Sequence, residues 1–142
     1  MLIRNKKAQF NYNLFERFEA GIALVGSEAK ALRTTGADLS NSYVRILGNE
    51  AFLINANIPI AGKKDYDATR TRKLLLHKNE IVSIASKMKG KTLTLVPTKM
   101  YTRGRLVKLE IALAKTKRKF EKKEALKKKD IEREIEKELK NK

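Results

Sequence analysis

From Tyr12 to Leu24 every even position but one is apolar: Tyr12, Leu14, Phe18, Ala20, Ile22 and Leu24, with Glu16 the exception. Successive side chains of a strand point to opposite faces, so a period of two demands a long β-strand with one buried face. Glu16 marks a bulge near its start, and Glu19 falls on the outward face. The same period returns at Ser42-Tyr43-Val44-Arg45-Ile46, with Val44 and Ile46 inward and Tyr43 and Arg45 outward. Gly48-Asn49 is a two-residue turn signal, since both residue types tolerate positive φ. The return strand, Glu50 to Ile58, places Phe52, Ile54, Ala56 and Ile58 on one face. Leu93 and Leu95 begin a further strand, where Pro97 calls for an edge or a bulge. After a turn at Arg103-Gly104, Val107, Leu109, Ile111 and Leu113 alternate inward opposite Lys108 and Glu110.

Two segments keep helical time instead. Gly26-Ser27-Glu28 opens a short helix with Ser27 as its N-cap, Ala29 and Leu32 inward and Gly36 as a stop. Ile81, Ile84, Ala85 and Met88 stand at i, i+3, i+4 and i+7 ahead of Gly90, an amphipathic helix with its terminator. Residues 62–70 read as a loop. Five or six strands with two interleaved helices make the chain mainly β. The expected architecture is an OB-like closed antiparallel β-barrel with flanking short helices, because closure removes exposed edges. The pattern alone leaves an open α+β sheet as the alternative.

Charge then narrows the function. The 142 residues hold 33 basic and 16 acidic side chains, a net +17. A field of one sign suits a polyanion, with nucleic acid the first choice and an anionic membrane its rival. No run approaches the ~18 apolar residues needed to cross a bilayer. The start lacks the basic-then-apolar plan of a secretion signal, and cysteine is absent, so a cytoplasmic protein without disulfides is expected. The last 28 residues hold 13 basic and 7 acidic groups and few apolar ones. Too little apolar surface remains there to offset ordering entropy. The division expected is a folded domain at 1–114 and a basic tail at 115–142, disordered when free and helical against RNA.

Catalysis finds little support. His77 is the sole histidine and no cysteine assists it, so a His-based metal cluster is out of reach. The acidic residues show no two-metal spacing, and no Walker-type glycine motif cradles phosphates. A binding protein without metal or cofactor is the expectation.

Particular strings go further. Asn5-Lys6-Lys7-Ala8, then Phe18-Glu19-Ala20-Gly21-Ile22, then Gly26-Ser27-Glu28-Ala29-Lys30-Ala31-Leu32-Arg33 stand in a distinctive order. So do Ser42-Tyr43, Ala56-Asn57-Ile58, the run from Thr69 to His77, and Ala114-Lys115. Together they resemble the small protein B family (SmpB, the SsrA-binding protein), from about Asn5 into the tail. The resemblance implies a closed OB-like barrel that binds the tRNA-like domain of transfer-messenger RNA (tmRNA) and delivers it to stalled ribosomes for trans-translation. It also implies a tail that senses the empty messenger channel of the small subunit. A basic ribosomal protein, or another OB-like RNA-binding protein, is the alternative.

Positions matching the family's RNA contacts are Asn5, Glu19 and Leu75, with basic support from Lys6, Lys7, Lys30, Arg33, Arg70, Arg72 and Lys73. Cations would neutralise phosphates, Asn5 and Glu19 would read base or ribose edges, and Leu75 or Tyr43 would meet an unstacked base. In the tail, Lys115, Lys117, Arg118, Phe120, Glu121, Lys122, Lys123, Lys127, Lys128 and Lys129 fall where the family grips the ribosome. Glu121-Lys122-Lys123 replaces an Asp-Lys-Arg element, keeping the charge signs without arginine's planar fork. Asp67-Ala68-Thr69 lacks the proline that the family often places after the aspartate.

Overall fold

The computed structural model describes residues 1–118 and residue 133. Within residues 1–118, seven strands and three helices follow in the order β1 (Leu2–Arg4), α1 (Lys6–Asn11), β2 (Tyr12–Ile22), α2 (Gly26–Thr34), β3 (Tyr43–Leu47), β4 (Glu50–Ile54), β5 (Arg72–Leu75), α3 (Lys78–Met88), β6 (Thr94–Arg103) and β7 (Leu106–Thr116). All strand pairings are antiparallel, in the order β1-β6-β3-β4-β5-β2-β7, and β6 also pairs with β7. The pairings therefore run from β2 through β7, β6, β3, β4 and β5 back to β2. β1 continues beyond β3 along the same edge of β6, opposite Lys99 to Tyr101.

Two bulges shape this circuit. Register slips between Leu14 and Arg17 on β2 and between Pro97 and Lys99 on β6. An extra residue flips every later side chain to the other face. The even residues of β2 thus serve two cores rather than the single face expected. Tyr12 and Leu14 pack with Ala8, Val96 and Ala114, whereas Phe18, Ala20 and Ile22 join the main core. On β6 the same device sends Leu95 and Met100 into one core despite their opposite parity. β7 alternates as expected, burying Val107, Leu109, Ile111 and Leu113. Leu109 and Ile111 have no exposed surface, worth ~1.5–3 kcal/mol each.

The β3–β4 hairpin forms around Gly48 at φ 63°, but the phase of β4 is the reverse of that expected. Val44 lies opposite Leu53 and Ile46 opposite Ala51, so Ala51 and Leu53 point inward while Phe52 and Ile54 are half-buried. Asn55, at φ 65°, then breaks the strand, and Ala56 and Ile58 return to the core in a new phase. α3 matches its pattern through buried Ile81 and Ile84, although Ala85 is exposed. α2 starts at Gly26 with Val25 as its N-cap rather than Ser27; Val25 N–H donates to Glu28 Oε1 at 3.0 Å. Burying Glu28 and Leu32 turns its inward face away from Ala29, which is half-buried.

β1, α1 and β5 stand where no element was expected. The folded body also passes the expected boundary at Ala114. Lys115 and Thr116 pair with Asn13 and Tyr12. Lys117 N–H donates to Asn11 O at 2.9 Å, and its Nζ donates to Gln9 O at 3.1 Å. The expectations for Phe120, Glu121, Lys122, Lys123, Lys127, Lys128 and Lys129, and for a helical tail, lie outside the described residues. No described helix is long and apolar enough to cross a membrane.

Candidate nucleic-acid interface

Strand register assembles one outward face. Leu75 lies opposite Gly21, Gly21 opposite Lys108, Lys108 opposite Tyr101 and Tyr101 opposite Leu2. A second row joins Glu19, Glu110, Lys99 and Arg4. Directly opposed side chains sit ~4.5–5.5 Å apart at Cβ, so these rows form continuous surface. Their neighbours in sequence, Ala20, Ile22, Leu74, Leu109 and Met100, fill the core on the other side.

Within this face Glu19 is held rather than free. The Tyr101 hydroxyl donates to its Oε2, and Arg103 Nη1 lies 3.1 Å from its Oε1. Burial and the neighbouring Glu19 carboxylate push the Tyr101 hydroxyl up to about 12, so it remains a donor at neutral pH. Glu110 accepts from the Thr98 hydroxyl and lies 3.6 Å from Arg17. Lys99 Nζ stands 5.6 Å from the centre of the Tyr101 ring. Arg17, Phe18, Glu19, Lys99, Tyr101, Arg103 and Glu110 line a cleft of about 420 Å³. Beside it Arg4, Lys6 and Gln9 border a smaller recess that shares Arg17, Lys99 and Glu110. The two carboxylates orient cations that can neutralise phosphates, and the remaining lone pairs of Glu19 can accept from a base or ribose edge.

Not every expected contact residue joins this face. Asn5 is buried, and both polar atoms of its side chain are hydrogen-bonded within the fold, so it sits at the floor of the Arg4–Gln9 recess rather than on the outward face. Its Nδ2 donates to Leu39 O at 3.1 Å and Pro97 O at 2.7 Å, while its Oδ1 accepts from Ala8 N–H at 3.2 Å. It ties the start of α1 to β6. Arg72 likewise lies inside, a buried strut with no exposed surface rather than an exposed phosphate ligand. Arg70 is partly exposed, but both its Nε and Nη2 point to Glu28. Lys73 shares the outward side of β5 with Leu75 and pairs with Glu50 at 3.3 Å. Lys30 and Arg33 are exposed on α2, where Arg33 donates to Arg105 O at 3.1 Å beside the β6–β7 turn. Tyr43 and Lys7 line a separate cleft of about 330 Å³ with Asn41 and Tyr12. Tyr43 sits three strands from Glu19 in either direction around the circuit.

Glu28 and Arg72, both buried, form a second charged assembly with Tyr66 and the partly exposed Arg70 of the 62–70 loop. Arg72 Nε donates to Glu28 at 2.8 Å, its Nη1 to Ala56 O and Arg70 O, and its Nη2 to Ala68 O and Tyr66. The single Tyr66 hydroxyl proton lies between Glu28 Oε2 at 2.8 Å and Ile58 O at 2.9 Å. Burial by itself would push the Glu28 carboxyl up. Hydrogen bonds from Arg70, Val25 N–H, Arg72 and Tyr66 outweigh it, holding the group at about 2 against an ordinary 4.5. A depressed carboxyl stabilises the fold above its unfolded pKa and loses that contribution as pH falls through its folded value. The melting-temperature gap between the native chain and Glu28→Gln should therefore be widest near pH 6 and shrink between about pH 4.5 and 2. Calorimetry across that window measures it; a gap independent of pH would contradict the assignment.

Arg4, Arg17, Lys99, Tyr101 and Arg103 were not singled out in the sequence. Alternation marks outward residues on each strand, but cross-strand register, set here by the two bulges, decides which of them meet. Among the described residues no three His, Asp or Glu side chains gather to hold a metal.

Comparison with known proteins gives the family. The family model for "SmpB protein" matches residues 2–141. An SsrA-binding protein of Persephonella marina is 49% identical over 141 residues, covering 97% of this chain and 93% of that one. One from Sulfurihydrogenibium sp. is 50% identical, with the same coverage of both. A solved chain from "tmRNA-SmpB: a journey to the center of the bacterial ribosome" superposes with a TM-score of 0.69 at 40% identity, covering 88% of this chain and 94% of that one. With its sequence matched almost end to end, the chain belongs to the SmpB protein family.

Proposed function

We propose that this protein is a cytoplasmic, non-catalytic adaptor that binds the tRNA-like domain of tmRNA and brings it to stalled ribosomes. The circuit of six strands serves as a closed OB-like barrel, presenting its β5–β2–β7–β6–β1 side to that RNA. The basic tail beyond Arg118 supplies a second grip, in the vacant messenger channel of the small subunit. One observation carries the reading: register brings Glu19 and Leu75 onto a single outward face among Arg4, Arg17, Lys99, Arg103 and Lys108. An enzyme would need reactive groups converging on one point, whereas both carboxylates here are occupied in orienting neighbours.

Glu19→Ala should weaken binding of the tRNA-like domain by about 10–100-fold, as expected for a lost hydrogen bond to a charged group. The melting temperature should hardly move, since Glu19 is partly exposed. Lys99→Ala should instead lessen the salt dependence of binding by roughly one ion. Fluorescence anisotropy at several salt concentrations separates these outcomes. Unchanged affinity in both variants would place the RNA elsewhere on the body. The RNA that copurifies at moderate salt should be tmRNA, and ribosomal RNA alone in that fraction would favour a ribosomal protein.

A further inference from the structure

Gly21 stands at the centre of the outward face, between Leu75 on one side and Lys108 on the other. Its φ lies outside the left-handed region, so backbone conformation does not require a glycine there. Close approach does. A Cβ at position 21 would lie 3.1 Å from Leu75 Cβ, 3.4 Å from its Cδ1 and 3.7 Å from its Cγ. Ordinary opposed Cβ atoms stand ~4.5–5.5 Å apart, so β5 and β2 approach unusually closely at this pair. The leucine, 57% exposed, lies over the bare backbone of β2 instead of standing away from the sheet. An exposed apolar side chain gains little by itself from such a seat. A defined orientation matters when something else must meet it, because ordering a side chain on binding has an entropic cost.

We propose that Gly21 is a positioning residue for RNA binding, its missing side chain holding Leu75 flat across β2 in the orientation that meets the RNA. This rests on the proposed role of the outward face, and it adds a residue that touches no RNA itself. The neighbouring strands need shift only by a few tenths of an ångström to admit a methyl group at position 21. Gly21→Ala should therefore leave the fold intact, with the smaller unfolded-state entropy of alanine offsetting the crowding, and the melting temperature checks it.

The experiment measures affinity for the tRNA-like domain of tmRNA, with melting temperatures, for Gly21→Ala, Leu75→Ala and the double variant. Gly21→Ala should lose about tenfold in affinity at nearly native stability. In the Leu75→Ala background it should add no further loss, since the leucine contact is already gone. Full affinity in Gly21→Ala, or losses that simply multiply, would overturn the positioning role while leaving the face intact. Full affinity in Leu75→Ala would instead overturn the role of the face at this residue. The methyl ¹³C shifts of Leu75 in the native chain give a reading that needs no variant. A single rotamer is expected before RNA is added, and rotamer averaging would refute the proposal.

Discussion

Removal of residues 119–142 should abolish rescue of stalled ribosomes while leaving affinity for the tRNA-like domain within about threefold, given how little net charge is lost. That segment holds ten basic and seven acidic residues, so a chain of net +17 becomes one of +14. The field around the outward face is nearly unchanged, and every side chain proposed to touch the RNA remains. Rescue is the more exacting readout, because under the proposed function it requires a second grip on the small subunit. Peptide tagging on ribosomes halted at the end of a message reports it, and anisotropy reports the first grip. Equal losses in both would contradict the division of labour. The place of the cut matters. Ending the chain at Ala114 would also remove Lys115 and Thr116 from β7 and the two bonds of Lys117, and should lower the melting temperature as well.

Arg72→Met should be the most destabilising single change on the body. Breaking a buried ion pair from one side costs about 3–5 kcal/mol. Here the loss would strand Ala56 O and Ala68 O as well as part of the Glu28 carboxylate. Lysine is no substitute, since one ammonium cannot match the five-donor fork that reaches five acceptors. The next residue makes the control. Lys73 and Glu50 are about half exposed, and Lys73→Ala should change stability by less than ~1 kcal/mol. Denaturant titration of both variants gives the comparison. A fully stable Arg72→Met chain with weakened RNA binding would return Arg72 to the RNA surface.

This pair of neighbours also shows how far the sequence could be read. Arg70, Arg72 and Lys73 look alike in a basic chain, and strand alternation alone would bury every second residue of this run. A buried arginine becomes believable only once Glu28 is seen beneath it, 44 positions earlier. The same holds for Asn5, whose partners at Leu39 and Pro97 are remote in the chain. β7 was legible because one face stays buried from Val107 to Leu113. β4 was not, because Phe52 and Ile54 are as apolar as Leu53 and offer two equally plausible phases. β1, β5 and α1 are too short for periodicity to register. Of the candidate site, Glu19 and Leu75 were readable through family resemblance. Their companions on β6 and β1 depended on register.

The junction between body and tail has a mechanical consequence. β7 is flanked on both edges, by β2 and by β6, almost to its last residue. A pull on the segment beyond Arg118, directed along β7, would strain both ladders in shear, with many hydrogen bonds sharing the load at once. An outermost strand would peel away one bond at a time. The body would thus hold firm against tension along the segment beyond Arg118, as the proposed second grip on the ribosome would require.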